Sequence, residues 1–155
     1  MDSLSHVFDW NSKVTRQLLE GFAEGFFSKR FEGANSAHWL IGHLAVSRRE
    51  ICDFLNIETD PIGWREPFDM GSSPEVPDDC PPPVELLDDF LAIGQRICAK
   101  IQSMSADDCE RPMRLIVGNE ERTVLHNLHF MYWHESYHVG QIGMIRRMLG
   151  LERMA

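Results

Sequence analysis

Four stretches of this chain repeat their apolar residues every three or four positions, and that spacing is the strongest limit on its fold. A helix turns about 100° per residue, so such spacing puts apolar side chains on one face. The first stretch, about Ser3 to Glu20, carries Leu4, Val7, Asn11, Val14 and Leu18. The second runs from about Ser36 to Asn56, with Asn35 or Ser36 as a short polar N-cap. The third follows Pro81-Pro82-Pro83 and reaches about Met104, with Leu87, Phe90, Leu91, Gly94, Ile97 and Ile101 on its stripe. The fourth runs from about Glu121 to Leu149, and Gly150 suits a C-terminal stop.

These segments predict an all-α four-helix bundle, one domain over residues 1–155. Ile57 to Pro82 carries enough proline and glycine to exclude a helix, yet it holds Ile62, Trp64, Phe68 and Met70. A connection of that length allows a crossover, so the third helix need not run antiparallel beside the second. The linkers Gly21–Asn35 and Ser105–Glu120 give the two halves a weak internal echo.

Composition narrows the function. At 43% hydrophobic residues the chain has a core, but no run reaches the roughly 18–20 apolar residues of a membrane span. A net charge of −9 opposes phosphate backbones, so nucleic acid is not an expected partner. The short basic pairs Arg48-Arg49 and Arg146-Arg147 read as solvated helix faces. The opening MDSLSHVFDWNSK lacks the basic and apolar segments of a secretory signal. Cys52, Cys80, Cys98 and Cys109 match no zinc or redox spacing, so free thiols in a reducing cytoplasm are expected.

Angular position sorts the histidines. On the fourth helix His134 lies about 40° from His138, within the apolar stripe, while His129 lies about 180° and His126 about 120° away. On the second helix His43 shares a face with Trp39, Glu50 and Phe54, and His38 points about 140° away. Three inward imidazoles need a shared reason, because an unpartnered buried polar group costs about 1–3 kcal/mol. A divalent ion supplies one, and His43, His134 and His138 are the candidate ligands. Zn and Ni suit imidazole best, with Fe and Mn also open.

Residues 134–138 read His-Glu-Ser-Tyr-His, the H-E-x-x-H pattern of zinc metalloproteases. The longer form of that pattern needs a histidine where Met144 stands, and the chain upstream is helical. Glu135, about 60° from His138, is a candidate catalytic carboxylate; the alternative is a surface or interface carboxylate. Trp39, Tyr137 and Trp64 are candidate pocket-lining residues. Glu50, two turns from His43, is too far to ligate directly.

The stretch Asn35-Ser36-Ala37-His38-Trp39-Leu40-Ile41-Gly42-His43-Leu44 resembles the second-helix signature of the DinB/YfiT-like family. His134 to Ile142, followed by Arg146 to Gly150, resembles its last-helix signature. The resemblance implies an up-down-down-up bundle, often homodimeric, with a metal on His43, His134 and His138. It implies no single activity. Relatives include transferases that use a low-molecular-weight thiol and suspected hydrolases. The open readings are a metal-dependent enzyme acting on a small molecule, a non-catalytic metal-stabilised bundle and a stress-related binding protein.

Overall fold

A computed structural model of the chain describes residues 2–114 and 120–152. Helix α1 spans Asp2–Leu19, the short α2 Glu24–Phe27, α3 Ala37–Leu55, α4 Pro83–Ser103, the short α5 Ala106–Glu110 and α6 Val124–Met148. A 3₁₀ turn covers Glu66–Phe68. Strands β1 (Pro112–Arg114) and β2 (Glu121–Thr123) pair antiparallel.

Local chemistry sets the helix ends. The Ser36 hydroxyl accepts from Trp39 N at 3.1 Å and caps α3, whose other end closes on Asn56 in the left-handed conformation (φ 55°). Proline opens α4, where the missing N–H has no partner to lose. Gly150, at φ +78°, ends α6, and Leu151 N returns to Arg146 O.

The four long helices, α1, α3, α4 and α6, form a ring in which α1 and α3 each pack against both α4 and α6. Contacts along the helices give their directions. Phe8 meets Tyr132, Asn11 meets Glu135 and Leu18 lies over Gly143, so α1 and α6 run parallel. Ser5 meets Cys98 and Gln102 while Ser12 sits by Gly94, so α1 and α4 run antiparallel. His38 meets Pro81 and Arg49 meets Asp89, so α3 and α4 run parallel. The order is therefore up-down-down-up. Parallel neighbours joined in sequence need a connection as long as the bundle, and the proline-rich segment provides it.

Close approach is achieved with glycine. Phe68, fully buried, lays its ring on Gly42 of α3, and Arg48 lays its guanidinium on Gly94 of α4. A Cβ at either glycine would fall inside those groups.

The structure departs from the sequence expectations in four places. The proline-rich connection does hold a turn of 3₁₀ helix, with Pro67 in it. Residues 121–123, expected in the last helix, are strand. Thr123 is extended, and its hydroxyl accepts from His126 N, so α6 starts at Val124. The linkers carry α2 and α5, the latter nucleated by a capping box between Ser105 and Asp108. Finally, Arg48 is not on a solvated face: its side chain is 0% exposed.

Candidate metal centre

His43 comes from α3, and His134 and His138 come from successive turns of α6. The two helices pack together, and one nitrogen from each ring converges on a common point, all within 4.8 Å of one another. His134 Nε2 lies 3.1 Å from His43 Nε2 and 3.1 Å from His138 Nε2. The rings meet edge to face, with centroids 4.5–5.0 Å apart. His126 and His129 are exposed, and His38 turns to the Pro81 carbonyl.

Hydrogen bonds determine which nitrogens carry protons. His43 Nδ1 lies 2.7 Å from the Phe68 carbonyl, which only accepts, so Nδ1 is the donor. His138 Nδ1 lies 2.7 Å from Gln141 Oε1 and donates likewise. In the neutral rings both Nε2 atoms are then lone pairs aimed at His134 Nε2. One proton on His134 Nε2 can satisfy only one of them well. A cation among the three satisfies all. Tetrahedral Zn–N bonds of about 2.0–2.1 Å put ligand nitrogens about 3.3 Å apart, close to the two 3.1 Å separations from His134 Nε2.

Electrostatics agrees with this. Burial pulls His134 down to about 4, and the neighbouring His138 and His43 pull in the same direction. Burial likewise takes His138 down to about 4 against the bond to Gln141, and lowers His43 against the Phe68 bond. All three rings are neutral near pH 7, the form that ligates metal.

The surroundings are aromatic. Trp39 stacks on His43 at 4.8 Å and 15°, and its indole N–H reaches Ser72 in the proline-rich connection. Tyr137, 56% exposed, stands edge-on to His138. Trp64 sits behind Phe68 and under Arg49 rather than against the histidines. A groove of about 800 Å³ between α1 and α4 and one of about 420 Å³ beside residues 74–83 hold none of these residues.

Glu135 points into the core beside the histidine group. Its side chain is 0% exposed, which overturns the surface reading. Both oxygens are taken: Arg48 Nε donates to Oε1 at 2.7 Å, and Arg48 Nη2 and Asn11 Nδ2 donate to Oε2. Its carboxylate is not among the groups that converge with His43, His134 and His138. The one residue step from His134, about 100° of helix rotation, points it into the bundle core, outside the histidine group. Glu50 pairs with Arg65.

Two partners of the site escaped sequence reasoning. Phe68 contributes a main-chain carbonyl, which leaves no side-chain signature. Gln141 lies one turn after His138, and that spacing was a readable signal.

Fold and site together define a four-helix bundle of crossed topology with a three-histidine constellation between its second and fourth long helices. The DinB superfamily matches residues 8–142, and the chain belongs to that superfamily. Among solved structures it is similar to YfiT from Bacillus subtilis, described as a probable metal-dependent hydrolase with an unusual four-helix bundle topology. Identity is 18%, coverage 97% of this chain and 88% of that one, and the TM-score 0.75. A DinB-like protein from Bacillus cereus matches at 12% identity, 100% and 96% coverage and TM-score 0.73. The DinB-like YjoA of Bacillus subtilis matches at 18% identity, 99% and 96% coverage and TM-score 0.69. None of the curated proteins matches.

Proposed function

We propose that this protein is a metal-dependent enzyme acting on a small molecule, with His43, His134 and His138 holding one divalent ion. The observation that carries this is the convergence of three Nε2 atoms, two of them lone pairs with no proton to share. Zn or Ni is the expected ion, Fe or Mn the next choice. When bound, such an ion supplies Lewis acidity toward a water or a thiolate.

The residues define the rest of the reading. Three neutral ligands leave the ion its full charge, and among the described residues no fourth His, Cys, Asp or Glu joins the group. That open position favours an enzyme over a purely structural site, which closes with four protein ligands. Hydrolysis is the leading chemistry, supported by the description of YfiT. Transfer of a low-molecular-weight thiol is the second. There the thiol comes from a cosubstrate, because burial raises Cys52 to about 11 and also raises Cys98. A metalloprotease role is disfavoured, since the glutamate of the H-E-x-x-H motif is held by Arg48.

Four free cysteines suit a reducing, cytoplasmic setting. Among the described residues no helix is long and apolar enough to cross a membrane. A ridge of Trp133, Tyr137, Met144 and Met148, each more than half exposed on α6, offers a surface for the expected homodimer.

Elemental analysis tests the centre. Wild type carries about one ion per chain, His43→Ala, His134→Ala and His138→Ala each lose it, and His129→Ala retains it. Unchanged metal in all three variants refutes the site. Turnover of simple esters and amides, compared with thiol transfer to electrophiles, separates the two chemistries.

A further inference from the structure

The three imidazoles have unequal support behind them. His43 gives its Nδ1 proton to the Phe68 carbonyl, fixed by a fully buried residue. His138 gives its Nδ1 proton to Gln141 Oε1. The Gln141 amide is itself oriented: Nε2 donates to the Tyr137 hydroxyl oxygen at 3.3 Å, which turns Oε1 toward His138. Among the described residues His134 Nδ1 has no partner, and it is buried. Phe130, one turn earlier on α6, stacks its ring against this histidine.

We propose that Gln141 is a positioning residue that fixes the tautomer of His138, and that His134 is the weakly held member of the set. This rests on the reading of the three histidines as metal ligands. A ring whose Nδ1–H has an acceptor presents its Nε2 lone pair at no cost in orientation, and the acceptor makes that nitrogen more basic. His43 and His138 are so prepared before any ion arrives. His134 is not: ligation through Nε2 places its proton on an Nδ1 with nothing to receive it. On its Nδ1 side the same ring also has no hydrogen bond among the described residues to hold its rotation once Nε2 turns to an ion. The centre is therefore two oriented ligands from different helices plus a third that yields first.

The Gln141 claim separates from a structural role by substitution. Gln141→Leu keeps helix propensity and volume but removes the acceptor. Gln141→Glu keeps the acceptor. Zinc affinity is read by competition with a chromophoric chelator. Gln141→Leu should weaken it about tenfold or more, the usual cost of an outer partner, while Gln141→Glu binds at least as tightly as wild type. Binding of Gln141→Leu within twofold of wild type, or equal losses in both variants, overturns the proposal.

A second readout needs no metal. In the metal-free protein, nitrogen-15 shifts should show His138 protonated at Nδ1 in wild type and in mixed tautomers in Gln141→Leu. An unchanged tautomer overturns the assignment, even if wild type binds no zinc and the metal reading itself fails. For the ranking, His134→Ala should retain more residual zinc affinity than His43→Ala or His138→Ala. An equal or larger loss at His134 refutes the inequality.

Discussion

Arg48 of α3 and Glu135 of α6 form a two-pronged ion pair in the middle of the bundle, Nε to Oε1 at 2.7 Å and Nη2 to Oε2 at 3.1 Å, with both side chains fully buried. The remaining guanidinium hydrogens go to Ser12 Oγ, Phe90 O and Phe8 O, so Arg48 ties all four long helices together. Glu135 follows His134 directly, so with the pair pointing into the core the histidine lies about 100° round the helix. Removing one partner leaves an uncompensated buried charge, which costs about 3–5 kcal/mol. Glu135→Ala should therefore lower the unfolding free energy from urea titration by that amount, and a loss under 1 kcal/mol would show that the pair is not the anchor described.

Gly94 carries the same anchor from the α4 side. Gly94→Ala pushes a methyl into the pinned Arg48 guanidinium, an overpacking cost of about 1–3 kcal/mol. Gly140, on α6 with open space above it, is the opposite case: Gly140→Ala should stabilise by up to about 1 kcal/mol. Thermal melts of the two variants should move in opposite directions.

Gly42 links the proline-rich connection to the candidate ligand beside it. Its missing Cβ admits the Phe68 ring, and the Phe68 carbonyl holds His43. Gly42→Ala should weaken zinc binding as well as lower stability, and Phe68→Ala should cost about 3–5 kcal/mol. A Gly42→Ala protein that melts lower but titrates with zinc as wild type does would uncouple the two.

Acid should weaken the metal-free fold. His134 and His138 sit near 4 in the folded state, below the ordinary imidazole value of about 6.5. Between those values the unfolded chain binds more protons, so stability falls as pH drops from about 6.5 to 4 and changes little from these groups above 7. His43, lowered by burial, adds to the same trend. Urea midpoints at pH 7.5, 5.5 and 4.5 should fall in that order for wild type, and less steeply for His134→Ala/His138→Ala. A steeper fall in the double variant would contradict the assignment.

Bound metal should add stability by mass action. Zinc at one hundred times its dissociation constant raises unfolding free energy by about 2.7 kcal/mol. Chelation should reverse that shift in wild type and leave His43→Ala unmoved.

Periodicity and chain punctuation alone determined four helices, a proline-rich connection long enough for a crossover, and the inward face of three histidines. These are short-range matters: which side chains share a helix face follows from a fixed turn per residue. The start of α6 was misread because strand pairing of Glu121 and Arg122 with Arg114 and Met113 competes with helical spacing. Arg48 read as a solvated charge, and Glu135 as a catalytic carboxylate or a surface or interface one, because residue type predicts exposure only until a partner arrives from another helix. Asn11, polar within an apolar stripe, was the one local sign of that network. The meeting of α3 with α6, the Phe68 carbonyl behind His43 and the unpartnered Nδ1 of His134 belong to tertiary structure alone. They depend on how helices distant in sequence rotate and approach, which packing decides and no local repeat encodes.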